Sequence, residues 1–398
     1  MSTHRNLAIL FLTLVVNLLG FGIIIPILPF YVERFGGSGL QMGMLMSIFS
    51  LMQFVFSPIW GGLSDRVGRK RVLMIGALGN AMSMALMGLA REYWLLFSAR
   101  MLSGMLSSAT LPAAMAFISD ITDEKHRSGG MGLFGAAFGL GMVLGPGIGG
   151  VLSQVTLEAP FFFASGASLV AVALTGFLLP ESLPAERRLG HEHRIRSVDL
   201  GLMFRSLSGP IGFLLILAFL HNFALTNFEG IFGFYAQRRY NFDPPTIGLI
   251  MVTIGLIATV TQGVLTGPFT RRFGDVAVIR AALFASALGF VSMTPVSTLD
   301  ALLLTSGFFV LSNSLLRPSV AALTSKRTPL PQGVTMGIAN AFMSLGRILG
   351  PLWGGKMLDI NLNYPFLSGA LVMLAAGFAG LVYLRHEERV AAQAANSD

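Results

Sequence analysis

The chain has no cysteine, only six histidines and three tryptophans in 398 residues, and only 12% of its residues are charged. Without cysteine there is no disulfide and no thiolate metal site, and the redox state of the compartment leaves no trace in the sequence. Soluble domains carry roughly a quarter charged residues, so the scarcity of charge overrides the two or three soluble domains that length alone suggests. Apolar residues fill the chain instead: 54% are hydrophobic, with 32 Phe, 21 Met and 47 Gly, and the mean hydropathy is +0.72. So few charges cannot cover a water-facing surface, and the chain reads as a polytopic membrane protein. The formal net charge of +8 would elsewhere suggest a nucleic-acid partner, but its distribution assigns it differently.

Twelve apolar runs approach the roughly 20 residues needed to cross a hydrocarbon core as helix. They cover residues 7–31, 40–62, 72–90, 94–118, 129–153, 159–180, 208–235, 246–269, 276–295, 300–323, 331–355 and 364–384. Barrel strands need only about ten alternating residues each, so the predicted fold is an all-α membrane protein. The first run follows His4 and Arg5 but is longer than a leader's apolar region, and no small-residue cleavage site follows Tyr31. It is expected to be kept as a span. With the N-terminus placed inside, nineteen Lys and Arg fall on the inner side and five on the outer. That asymmetry puts both termini in the cytoplasm. The positive charge is a topology signal, and no nucleic-acid partner is implied.

The longest polar connection, Glu181 to Arg205, divides the runs six and six. The expected organisation is a six-helix bundle over 1–180, a cytoplasmic linker over 181–206, a second bundle over 207–385 and a cytoplasmic tail over 386–398. The halves repeat one another. Gly141-Met-Val-Leu-Gly145-Pro146-Gly-Ile-Gly149-Gly150 returns 205 residues later as Gly346-Arg-Ile-Leu-Gly350-Pro351-Leu-Trp-Gly354-Gly355. Gly61 to Gly68 returns more loosely as Gly267 to Gly274, and Pro112 as Pro318, both 206 residues later. Such pseudo-symmetry usually places a transporter's substrate site near the bilayer midplane, between two halves that rock around it.

The connection between the second and third runs reads Gly61-Gly-Leu-Ser-Asp65-Arg66-Val-Gly68-Arg69-Lys70-Arg71. Its glycines permit a tight turn and close helix approach, and its acid and bases can pair across an interface. An ordinary positive-inside anchor explains the basic residues but not the Gly and Asp spacing. In the fifth run Gly141, Gly145 and Gly149 recur at four-residue spacing, which lets helix backbones touch. Pro146 bends that helix, and Gly150 completes a terminal pair. No strand precedes these glycines, so a dinucleotide fingerprint is rejected. With Arg100-Met-Leu-Ser-Gly104 in the fourth run and Gly22-x-x-x-Pro26-x-x-Pro29 in the first, the segments resemble the signature motifs of the major facilitator superfamily. The resemblance covers essentially the whole chain. It is strongest for the twelve-helix drug:proton antiporters, in particular the quinolone and multidrug exporters of Gram-positive bacteria, with tetracycline exporters next.

The resemblance implies a major facilitator fold and a role for each motif. The loop carrying Gly61, Asp65, Arg66, Gly68, Arg69 and Lys70 would be a charge-relay latch that holds the cytoplasmic side shut in the outward-open state. Arg100 would take part in proton transfer, and Gly141 to Gly150 would be the antiporter motif. In the second-half copy of the loop, Arg271 stands at the acid's position and Asp275 follows the glycine, which leaves a latch role for that copy open.

Acids are scarcest inside the runs. Of all 19, only Glu229 lies well within one, together with three bases, Arg100, Arg317 and Arg347. Ionisable groups there are costly and are functional candidates by default. Glu229 sits in Asn227-Phe-Glu229-Gly-Ile-Phe near the outer end of the seventh run. A partly desolvated carboxylate can bind and release a proton near neutrality; the other reading is a structural ion pair with one arginine. In the exporters it resembles, a glutamate in the matching segment couples protons, which favours Glu229, with Arg100, Arg317 and Arg347 as its candidate partners. Two carboxylates of those relatives are missing. Ser314 stands three residues before Arg317-Pro318, where the multidrug exporters carry an acid, and Asn17 stands where tetracycline exporters carry Asp. Three Arg against one Glu leave a balance of +2 inside the membrane. The expected cargo is therefore a zwitterionic or anionic amphiphile whose carboxylate or phosphate meets an arginine.

Phe49, Phe138, Met142 and Phe232 are candidates for an adaptable, greasy cavity, and helix packing or lipid contact is the plainer reading of each. Gln53 and Asn17 are better individual candidates, because an amide in a span wants a polar partner or a ligand; Asn222 and Asn340 follow. His191 and His193 have no accompanying Cys or His cluster and read as solvated linker rather than metal ligands. No cofactor is expected, the proton being the coupling ion. The expected partners are a small amphiphilic substrate, protons and the bilayer, around a monomer in a bacterial cytoplasmic membrane. The leading function is proton-coupled export by alternating access. A facilitator or flippase for an organic anion or lipid is the alternative, followed by a non-transporting receptor or scaffold. No nucleophile–base set or nucleotide-binding motif points to an enzyme.

Overall fold

The computed structural model describes residues 3–122, 124–188 and 200–395, and all the regular structure among them is helical. The long helices, in chain order, are α1 (Thr3–Ile24), α2 (Gly39–Val67), α3 (Arg69–Gly88), α4 (Tyr93–Ile121), α5 (Glu124–Leu152) and α6 (Ala159–Leu178). They continue with α7 (Gly212–Tyr240), α8 (Pro244–Phe273), α9 (Asp275–Ser292), α10 (Leu299–Arg327), α11 (Gln332–Ile360) and α12 (Tyr364–Ala395). Among the described residues, eleven are long and apolar enough to cross a membrane. The other, α11, has 29 residues but carries Asn340 and Arg347 in its apolar stretch. Large apolar side chains stand open on the outside, Phe177 at 89% exposure and Val382 at 75%, which suits lipid and would be untenable in water.

Sequence chemistry sets several ends and interruptions. Ser38 and Gln41 form a reciprocal capping box at the start of α2. The Asp243 carboxylate accepts from the Thr246 N–H at 3.0 Å, starting α8 just before Pro244. That bond holds the Asp243 carboxyl below the usual carboxylate range. Gly68 and Gly274, at φ +104° and +81°, make the turns from α2 to α3 and from α8 to α9, a backbone region that favours glycine. Two of the expected runs are broken. The first ends as helix at Ile24, and the chain resumes as a short helix at Leu28–Arg34, because Pro26 removes a donor and Pro29 suits a helix's first turn. The fourth breaks between Ser107 and Thr110. Within α8, residues Thr261–Leu265 form a π turn, where the Thr266 hydroxyl donates to the Thr261 carbonyl at 2.9 Å.

The chain forms two compact units, one of Met1–Asp199 with Phe232–Gly255, the other of Leu200–Ile231 with Leu256–Asp398. In the first, α1 packs along α5, α3 along α6 and α2 along α4. The first of these seams brings backbone against backbone: a Cβ on Gly145 would stand 2.7 Å from the Gly22 Cα, and one on Gly149 2.6 Å from the Ile23 carbonyl. The opposite face of the same motif meets α8, where a Cβ on Gly248 would stand 2.6 Å from the Pro146 carbonyl. In the second unit α9 packs along α10 and α12, and α11 lies against α7 on a matching glycine stripe. A Cβ on Gly346 would stand 2.5 Å from the Phe219 carbonyl, one on Gly350 2.5 Å from the Phe223 carbonyl, and Gly354 abuts Asn227. The repeat of 205 residues is thus a repeat in space.

Gly350→Ala should destabilise the protein by about 1–3 kcal/mol through overpacking. Gly337→Ala, on the same helix with nothing within 4 Å of its Cβ position, should be neutral or mildly stabilising. Heating followed by fluorescence-detected size exclusion would compare them, and equal melting temperatures would contradict the seam.

Candidate functional site

Arg69 organises the loop after α2. Its guanidinium pairs with Asp65 at 2.5 Å and with Asp120 at the end of α4 at 3.2 Å. It also donates to the Ser64 hydroxyl at 2.7 Å, while its backbone N–H donates to Glu181 at 2.8 Å. Ser182 donates to the same Asp120 oxygen, and Lys70 Nζ donates to the Gly176 carbonyl at 2.6 Å. One arginine therefore ties the ends of α2 and α4 to the segment beyond α6. A Cβ on Gly61 would stand 3.6 Å from Pro112 of α4, an ordinary contact, and Arg66 lies in the last turn of α2. In the second unit Lys326, ending α10, pairs with Asp275 at the start of α9. Both pairs span 51 residues, so Asp275 occupies the place of Arg69 and Lys326 that of Asp120, each 206 residues on. The second copy keeps the bridge and inverts its polarity.

Arg100 is 1% exposed. Glycine explains how it gets there: a Cβ on Gly104 would stand 2.5 Å from the Phe49 carbonyl, so α4 lies directly on α2. One turn earlier Arg100 reaches the Leu45 carbonyl at 3.4 Å and the Met46 thioether at 3.5 Å. Its guanidinium lies 4.6 Å from the Phe49 ring and 6.0 Å from that of Phe21. Its Nη1 has no partner, and no described carboxylate pairs with it. A central membrane arginine costs about 2.5–3.5 kcal/mol on insertion scales. A desolvated cation–π contact returns about 2 kcal/mol, so the aromatic faces offset most of that cost without an acid.

In the second unit α7 is pinned around Glu229 on several sides. Asn227 donates to the Pro365 carbonyl at 2.9 Å, Phe228 packs on Phe309 with centroids 5.1 Å apart, and Gly230 abuts Pro351. Glu229, half-buried, makes no ion pair or hydrogen bond with a described residue. Within the second unit, neither Arg317 nor Arg347 forms the structural ion pair with it that the sequence left open. Arg347 donates to Ser344 at 2.9 Å and leaves its Nε unpartnered. Arg317 has no hydrogen bond or ion pair to a described residue, and it lines a recess of about 50 Å³ with His221, Thr324 and Asn340.

The expected cavity residues are shared between the two units, Asn222 and Asn340 in the second and the other six in the first. Asn17 and Asn222 turn their amides onto their own helices, at the Thr13 and Ala218 carbonyls. Phe49 serves Arg100, while Phe232 is fully buried in the first unit. Gln53 and Met142 are half-buried in the first unit, and Phe138 is 41% exposed there. Asn340 alone of the group lines the recess. His191 and His193 lie outside the described residues. His221 was missed, although it is the one histidine of six inside an apolar run, and its 3% exposure marks it as the buried titratable neighbour of Arg317.

The profile of the Major Facilitator Superfamily matches residues 10–228 and again 214–397, and the chain belongs to that superfamily of membrane transporters. Multidrug resistance protein 2 of Bacillus subtilis (strain 168) is 34% identical over 393 residues, covering 98% of this chain and 97% of the relative. The class C tetracycline resistance protein of Escherichia coli is 31% identical over 361 residues, covering 88% and 89%. Among solved structures, the nucleoside transporter NupG superposes with a TM-score of 0.78 at 14% identity, over 95% of this chain and 99% of that one. It supports the fold alone.

The inverted bridge predicts an asymmetric outcome. Asp275→Lys should weaken folding or transport, and adding Lys326→Asp should restore it, because among the described residues this bridge has no third charged partner. The corresponding swap of Arg69 and Asp120 should not restore function, since the new acid would face Asp65, the second acid that the Arg69 guanidinium now pairs. Melting temperature and uptake in vesicles read both, and equal rescue of the two swaps would contradict the account.

Proposed function

We propose that the protein exports amphiphilic drugs by alternating access in exchange for protons, with Glu229 as the coupling carboxylate. The observation that carries this reading is the unpaired, half-buried Glu229, held on a helix whose neighbouring residues are all fixed by packing. A carboxylate without a resident counter-charge changes its energy most when a proton binds. It is thereby able to bias one conformation over another, since a switch needs a ligand with different affinity for its two states. Proton binding from the outer side would neutralise Glu229, and substrate arriving from the cytoplasm would accompany proton release. The relatives named for multidrug and tetracycline resistance support drug export.

The arrangement that goes with this function has twelve spans in two bundles of six, over 1–180 and 207–385, joined by the linker 181–206. Both termini, including the tail 386–398, lie in the cytoplasm of a bacterial cell. The chain works as a monomer in the cytoplasmic membrane, without cofactor or nucleic acid. Asn17, Gln53, Phe49, Phe138, Met142, Asn222, Phe232 and Asn340 remain the candidates for cargo contact. Arg100, Arg317 and Arg347 remain partners of Glu229 in coupling. The Gly61 to Lys70 loop acts as the latch, and Gly141 to Gly150 as the antiporter motif. A facilitator for organic anions is the second reading, favoured by the excess of unpaired arginines.

Purified protein in proteoliposomes with an imposed pH gradient should show proton flux on adding a fluoroquinolone or tetracycline. Glu229→Gln should abolish that flux by at least about tenfold while keeping downhill substrate movement. Coupling that survives the substitution would remove Glu229 from the mechanism, and wild-type movement indifferent to the gradient would favour the facilitator.

A further inference from the structure

We propose that the recess lined by His221, Arg317 and Asn340 is an oxyanion subsite that takes the carboxylate of an amphiphilic cargo molecule. The inference rests on the transporter reading only in naming the ligand as cargo. Three helices contribute: α7 brings His221, α10 brings Arg317, and α11 brings Asn340. The volume, about 50 Å³, suits a carboxylate with its adjoining carbon and excludes a whole drug molecule, whose pockets run to about 300–1,000 Å³. The rest of the amphiphile would therefore lie outside the recess, with only its acidic end seated.

The polar groups in the recess have capacity to spare. Arg317 makes no hydrogen bond or ion pair to a described residue, so all five of its N–H donors are available. His221 is 3% exposed, and its Nδ1 has no partner. The residue one turn before Arg317 that would supply an acid is Ser314, itself buried at 6%. Positive charge accumulates nearby: Arg347 follows Asn340 two turns later on α11, and no described acid pairs with either guanidinium. A guanidinium presents a planar fork that matches two oxygens of one oxyanion, and such charge-assisted pairs are the strong ones. An anion would satisfy the fork and relieve the repulsion at once. A cation would add to it. Arg317 and Asn340 are exposed, so the recess is reachable from outside, and the small side chains of Ala218, Ala321 and Ala339 leave its space open. A lipid phosphate offers the same oxyanion chemistry as a carboxylate, so the test separates the two sources.

The test measures equilibrium binding to the full-length protein in phosphatidylcholine nanodiscs, without any gradient. The probes are a fluoroquinolone and its methyl ester, which differ only in the acid. Wild type should prefer the acid by about tenfold or more, the worth of one charged hydrogen bond. Arg317→Gln should bring the ratio to one while leaving ester binding unchanged. Ala321→Leu, which fills the recess and leaves the guanidinium in place, should also remove the preference; it serves as the check if Arg317→Gln folds poorly. Acid binding that weakens tenfold in phosphatidylglycerol nanodiscs, in wild type but not in Arg317→Gln, would support the subsite with lipid phosphate as its competitor. A wild-type ratio of one, no binding of the acid, or an equal loss of both probes in Arg317→Gln would overturn it. The acid-to-ester ratio is read at equilibrium without a gradient, whereas coupling is read as gradient-driven flux. Failure of proton coupling and failure of this subsite are therefore read separately.

Discussion

Backbone contact between paired helices is the constraint on which the rest of this structure depends. In lipid there is no hydrophobic drive to bring helices together, and association relies on close packing. The chain meets that requirement twice with one device. Gly141, Gly145 and Gly149 bring α5 onto α1, and Gly346, Gly350 and Gly354 bring α11 onto α7. Any side chain on these stripes would push the backbones apart. The stripes also determine where chemistry can sit. Arg347 follows Gly346 directly, so a guanidinium is carried to the flank of the α7 seam. Gly230 against Pro351 fixes the turn that bears Glu229.

Charge placement is the second theme. Each unit treats a buried or interfacial charge differently. Outside the spans acids and bases pair at the helix ends, as at Arg69 with Asp65 and Asp120, and at Asp275 with Lys326. Within the spans they are not. Arg100 is balanced by aromatic faces and a carbonyl, while Glu229 and Arg317 have no partner among the described residues. Unmatched charge in a low-dielectric setting is a poor way to stabilise a fold and a good way to respond to a proton or an ion. Inside the membrane the fold's stability comes from glycine seams and aromatic packing, which frees the ionisable groups for function.

Much of this was legible in the sequence, for physical reasons that can be named. Apolar runs announce helices because every backbone group in lipid must be bonded within its segment. The 205-residue repeat announced the paired seams because glycine spacing is the contact itself. Other features depended on three dimensions. The polarity inversion at Asp275 and Lys326 was hidden, since residues 51 apart in sequence only become partners once α9 and α10 pack. The amides of Asn17 and Asn222 were expected to want a polar partner or a ligand, and which of the two was hidden until each met a carbonyl one turn back on its own helix. A single histidine in an apolar run carries no pattern of its own in the sequence; the significance of His221 comes from lying beside Arg317 in one recess.

The central claim is that transport is exchange, energetically tied to protons. Its most direct measurement is the reversal condition in proteoliposomes: fix a substrate gradient, vary an opposing pH gradient, and find where net substrate flux changes sign. The account predicts a reversal at a finite pH gradient that shifts in proportion as the substrate gradient is changed. Flux that vanishes only when the substrate gradient itself is zero, whatever the pH gradient, would contradict it.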